Sequence, residues 1–288
     1  SRLRLSLSAP PLPFGEVRSR IDREIREHES ARDAYLGARP TVARPLLDEH
    51  VIMRLRKGLV RILRLCELAY PREVVASVRA HVFGSDTALR ANAFEVLESL
   101  VDRAVQQRLV ALVERFLAIR AGDFSGHRRD ASIDHAMSWI RGQLEEPEAY
   151  RAALALDAVA YRNVVRAGPD ALLALKHADP FVRETAAIAV AVTMPSGARD
   201  ALAALVRDPD PVVAAYARYW METGSPGLAA DDLMYTTIEK VLFLQRIQVF
   251  ARVAGEDLVT LARGSSVVSL DRGNVIFREG DKGGALYF

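Results

Sequence analysis

The sequence predicts a mainly α-helical chain, an α-solenoid of stacked helix pairs followed by a small, incomplete C-terminal β-roll. Three observations carry that reading. Apolar residues recur at spacings of three and four over most of the first 250 positions, in a composition rich in Ala, Leu, Val and Arg that favours helices. An Asp-Pro pair followed by apolar residues and then closely spaced alanines occurs at Asp179-Pro180, and again 31 residues later at Asp210-Pro211. Beyond residue 265 the pattern changes to short β-type runs separated by glycine turns.

Residues 1–14 hold two Arg and three Pro without a coherent apolar stretch, so they read as an extended arm and not as a secretory signal. From Glu16 to about Ala38 a thin apolar stripe (Val17, Ile21, Ile25, Ala31) predicts a helix that Gly37 and Pro40 end. Pro45 opens a long helix that Pro71 stops, with Leu47, Val51, Leu55, Leu59, Ile62 and Cys66 on one face. Further helices are expected at 72–82, 86–100, 102–119, 132–144, 147–167, 169–177, 180–193, 197–206 and 210–222. The Gly- and charge-rich stretch 121–130 is an exposed connection.

At Asp179 and Asp210 the side chain can cap open amides, while Pro180 and Pro211 occupy the first helical position with φ already set. The alanines that follow (Ala186, Ala187; Ala214, Ala215, Ala217) let neighbouring helices approach closely. An earlier copy begins at Ser85-Asp86, where Leu89 lies 93 residues before Val182, three periods of 31. Asp-Pro, an apolar pair and buried alanines resemble the second helix of a HEAT-like repeat, a helix pair that buries its face by stacking on neighbours. Independent helices in an ordinary bundle are the alternative.

Gly224-Ser225-Pro226-Gly227 is the strongest boundary signal. The expected organisation is an N-terminal arm and helix (1–40), helical repeats (41–223), a linker (224–232) and a C-terminal region (233–288). That region runs through Thr236 to Leu244, Val249-Phe250, Glu256-Asp257-Leu258 and Leu261-Ala262, then into runs at 267–270, 274–277 and 285–288. The turns between those runs are Asp271-Arg272-Gly273 and Glu279 to Gly284. Helix, "LVTLAR", "DRGNVIFREGD" and "GGALYF" together resemble the opening of a cyclic-nucleotide-binding domain. The resemblance covers about a fifth of the chain. It implies that Gly273 turns between the first two strands of the roll, and Gly280-Asp281 between the second and third. In that family the cyclic phosphate is held by a later cassette, and no residue of this sequence maps onto it. We therefore read the chain as part of a longer protein and expect it to bind no cofactor and no cyclic nucleotide as it stands. An intact parent with a completed roll could bind the nucleotide.

The stretch from Leu59 to Leu100, with Tyr70-Pro71 and Leu89 to Leu100, is similar to the cytosolic helical region of some bacterial membrane proteins. These are relatives of the major facilitator and ADP/ATP translocase groups, with HEAT-like repeats before a cyclic-nucleotide-binding domain. The resemblance implies a cytoplasmic location at the inner face of the bacterial membrane, with a membrane domain or a protein as partner.

Other candidates are weaker. Arg54, Lys57, Arg61 and Arg64 form a basic stripe that could face anionic headgroups, or could be a solvated face paired with acids. The net charge of +2 implies no polyanionic partner, and nucleic acid is not expected. His127, Asp130, Asp134 and His135 do not converge at metal-ligand spacing. The lone Cys66 reads as a packing residue in a reducing compartment. No nucleophile elbow, P-loop or dinucleotide fingerprint is present, so the chain is read as no enzyme. The expected role is regulatory and scaffolding, with Ile238, Leu242, Phe243 and Phe250 on a transmitting helix at 238–250. A stand-alone interaction module is the alternative. An unpaired strand edge at 267–288 would favour self-association.

Overall fold

The computed structural model describes residues 14–100, 103–124, 132–224, 235–250, 253–268, 270–278 and 280–287. The chain is mainly α, about 75% helical, with 13 α-helices and no strand among the described residues. In chain order these are α1 (Phe14–Val42), α2 (Pro45–Ala69), α3 (Arg72–His81), α4 (Thr87–Leu100), α5 (Arg103–Arg120), α6 (Ile133–Glu145) and α7 (Ala149–Arg162). They continue as α8 (Gly168–Ala174), α9 (Pro180–Thr193), α10 (Ala198–Leu205), α11 (Pro211–Thr223), α12 (Thr237–Arg246) and α13 (Gly255–Gly264). The expected arm and most of the linker lie outside the described residues.

Contacts gather into two compact units, residues 1–40 with 48–136, and residues 41–47 with 137–288. The later division falls inside α6, between Ala136 and Met137, and the Gly-Ser-Pro-Gly signal at 224–227 lies within the second unit.

In the first unit, Ile21, Ile25, Leu59, Ile62, Leu63, Leu97, Leu109 and Phe116 are fully buried. The predicted face of α2 is the buried one, with Leu55, Leu59, Ile62 and Cys66 in this core. Burial pushes the Cys66 thiol up to about 12, so it stays protonated and inert. Phe83 meets Phe116 edge to face with ring centres 5.6 Å apart.

The first helix runs through both residues expected to stop it. Pro40 lies in the last turn of α1, where its missing N–H forfeits a single bond and the buried Ala38 and Val42 hold the turn. Gly37 is needed for clearance: a Cβ there would sit 2.6 Å from Nε2 of His135, which bonds to the Ala34 carbonyl at 3.0 Å. His28 repeats the arrangement on α2. It lies against Gly58 and bonds to the Leu55 carbonyl at 3.0 Å. Burial lowers its pKa, favouring the neutral ring.

In the second unit α9 packs against α7, α8, α10 and α11. Close approach is built in by small residues: Ala152, Ala153, Ala155 and Ala158 on α7, and Ala186, Ala187 and Ala189 on α9, are all fully buried. Arg44 ties the 41–47 segment to α7 by pairing with Asp157 (Nε–Oδ2 2.8 Å) and lying over the Tyr161 ring at 4.1 Å. The helix expected over 147–167 breaks at Asn163, whose left-handed backbone (φ 48°) caps α7 before a short 3₁₀ turn leads into α8.

The C-terminal strands expected at 267–288 are absent among the described residues. The turns are present: Gly273 and Gly280 have φ of +99° and +95°, which favour glycine. Asn274 N–H bonds to the Asp271 carbonyl at 3.0 Å and Asp281 N–H to Arg278 at 3.1 Å. The described residues of the runs between them are exposed and form no ladder.

Candidate functional site

The two Asp-Pro starts are equivalent in detail. Asp179 accepts the Phe181 N–H at 2.8 Å, and Asp210 accepts those of Val212 and Val213 at 3.1 and 3.2 Å. Pro180 and Pro211 open α9 and α11. Two residues earlier a side chain receives the Asp N–H: His177 Nδ1 accepts from Asp179 at 3.0 Å, and Asp208 Oδ1 from Asp210 at 2.8 Å. Val182 matches Val213, and Ala186 matches Ala217, all fully buried. The earlier copy shares the cap, since Asp86 accepts from Ala88 and Leu89 at 2.9 and 3.1 Å. Its Leu89 is exposed, however, so equivalence with Val182 does not extend to packing.

Among the positions at which the two copies differ, one holds a buried acid. Glu184 stands in α9 where α11 has Ala215, and it is 1% exposed. Its carboxylate accepts the Thr237 N–H at 2.7 Å and the Thr237 hydroxyl at 2.6 Å. These bonds place it at the start of α12, where a carboxylate complements the open amides. Thr236 and Glu239 complete a capping box there. Arg263 of α13 approaches Glu184 (Nη1–Oε2 3.5 Å) and also pairs through Nη2 with Asp210 Oδ2. Asp210 therefore caps α11 with one oxygen and holds α13 with the other. Lys240 donates to the Ser265 carbonyl at 2.8 Å. Burial raises the Glu184 pKa against the opposing pull of Thr237, Arg263 and Lys240, and burial lowers that of Lys240.

The helices held by this cluster have a core of their own. Val241, Leu244, Leu258 and Ala262 are buried together, with Ile247, Phe250, Val253 and Val259 around them. Tyr150 of α7, stacked on Phe181 at 6.2 Å, lies against the first turn of α13. A Cβ at Gly255 would fall 1.9 Å from its hydroxyl.

The sequence candidates fall unevenly on this geometry. Ile238 is buried in α12, Leu242 and Phe250 are half-buried, and Phe243 is 55% exposed. The helix ends at Arg246, because Ile247 turns extended (ψ 126°), so Phe250 lies in the following turn and not on one helix with Ile238. At the second turn Asp281 accepts the Arg278 N–H at 2.7 Å, pinning it beside Gly280. Arg54, Lys57, Arg61 and Arg64 are exposed on α2. Arg61 bonds Glu24 at 2.6 Å, a carboxylate that Arg20 also holds at 2.8 Å, so one member of the stripe serves a buried acid. His127 and Asp130 lie outside the described residues, and no group of three metal-ligating side chains gathers among those described. No described helix is long and apolar enough to cross a membrane.

Glu184 had no motif to reveal it, and its sequence signal is the repeat, which puts a carboxylate where the companion helix has Ala215. Arg263 closes the "LVTLAR" run, which did not mark it as a site residue. No protein-family model, curated protein or solved structure matches the chain.

Proposed function

We propose that the chain is a non-catalytic regulatory and scaffolding region: HEAT-like repeats joined to the opening helices and turns of a cyclic-nucleotide-binding roll. The carrying observation is the match of the Asp179 and Asp210 starts in their Asp cap, first-position Pro, preceding side-chain acceptor and the buried pairs Val182/Val213 and Ala186/Ala217. Side-by-side contact of α7, α9 and α11 supports stacking of the solenoid kind. The roll reading rests on α12 and α13 followed by two glycine turns with positive φ at the expected positions.

In this reading the parent is a larger, transporter-like membrane protein and the region sits at its cytoplasmic face. A nucleotide bound by the completed roll displaces α12 and α13, and the repeats pass that displacement to the membrane domain or a protein partner. The test is the intact mass of the natural protein, followed by calorimetric titration of its full-length form with cyclic AMP and cyclic GMP. A heavier protein that binds either one supports the reading. A natural mass equal to this chain removes the nucleotide role and leaves a stand-alone repeat module that binds a protein.

A further inference from the structure

The geometry points to α12–α13 as a releasable hairpin, docked on the repeat helices by a polar clamp of Glu184, Asp210, Thr237 and Arg263. Two features make release as a unit feasible. The hairpin has its own apolar core around Val241, Leu244, Leu258 and Ala262, so separation from α9 and α11 leaves that core intact. Its hydrogen-bonded and charged attachments are Thr237 to Glu184 and Arg263 to Glu184 and Asp210, beside two packing contacts, the buried Ile238 and Gly255 against Tyr150 of α7. Polar partners recover hydrogen bonds from water on separation, whereas buried apolar area does not, so this seam is weaker than the α7–α9 seam of packed alanines.

Arg263 is the positioning residue of the clamp, because one guanidinium reaches carboxylates on two different repeat helices. Its loss leaves the caps of α11 intact, since Asp210 keeps Val212 and Val213 through its other oxygen. The inference deepens the regulatory reading by naming the seam at which α12 and α13 would move, and it rests on that reading only for its use.

The test is native-state hydrogen exchange of the full chain over increasing urea, followed by mass spectrometry. Peptides from 237–264 should exchange through an opening of shallow urea dependence, before those of α7 and α9. Arg263→Gln should speed exchange in 237–264 about tenfold, the effect of losing one charged hydrogen bond, with α7, α9 and α11 unchanged. Arg263→Lys, which keeps the charge without the fork, should give a smaller acceleration. Exchange of α7 through α13 in one step in the wild-type chain overturns the clamp, and so does equal acceleration of α9 and 237–264. Either result leaves the nucleotide reading standing. Failure of the full-length protein to bind nucleotide removes that reading and leaves the clamp.

Discussion

Arg183 and Asp208 meet in a two-pronged ion pair, Nε to Oδ2 and Nη2 to Oδ1, each at 2.8 Å. The third nitrogen of the same guanidinium donates to the carbonyls of His177 and Ala178, both at 2.9 Å. One side chain thus fastens the turn before α9 to the turn before α11. Lysine keeps the charge but cannot form the fork, so Arg183→Lys should cost about 1–2 kcal/mol. Urea unfolding followed by circular dichroism measures it. A midpoint equal to that of the wild type would show that the pair is an ordinary surface contact.

Two acids in this unit should respond to pH in opposite directions. The hydrogen bond from Arg183 holds Asp208 below the usual carboxylate range. Its stabilising contribution is therefore present above the unfolded pKa of about 4 and is lost as pH falls through the lower folded value. Glu184 is shifted up by burial. Its carboxyl favours folding when protonated, so its contribution is complete below about pH 4 and declines as pH rises through the folded value. Asp208→Asn should flatten the acid limb of the stability profile. Glu184→Gln should gain on the wild type as pH rises from 4 to 8. A constant difference between Gln and wild type over that range would contradict the assignment for Glu184. Glu184→Ala should lose about 2 kcal/mol, because the Thr237 N–H is left buried without its acceptor.

Gly255 is fixed by a neighbour distant in sequence. Tyr150 fills the space a β-carbon would take, and stacking on Phe181 limits its retreat. Gly255→Ala should destabilise the chain by about 2 kcal/mol, as in other overpacked sites. Pairing it with Tyr150→Ala should cost less than the sum of the two single changes, which thermal unfolding of all three variants would show. Additive losses would mean that the two residues do not share the space.

These residues also show what was legible in the sequence. The helices, the Asp caps and the glycine turns depend on neighbours within four positions, and local patterns reported them. The continuation of α1 through Pro40 depends on buried Ala38 and Val42 and on an imidazole 98 residues from Gly37, which no local pattern contains. Glu184 had the surface-like composition of any helical acid. Its role comes from Thr237 and Arg263, 53 and 79 positions away. The expected strands are the converse case: β-type runs were visible, but a ladder needs partners, which the runs themselves do not specify.

That same segment gives the last prediction. Val268, Val275, Phe277 and Leu286 are all more than half exposed, and the described residues around them make no ladder. Exposed apolar runs of this kind pair with one another when no other cover is present. Light scattering across a concentration series should therefore show mass rising above that of one chain. Val268→Lys with Phe277→Lys should return it to one chain, since a charge on an edge opposes pairing. Helical content should stay unchanged, because both residues are exposed and neither belongs to the buried core of α12 and α13. A single mass for the wild type at all concentrations would show that the exposed run does not drive pairing, and would leave the helical surfaces as the place to look for a partner.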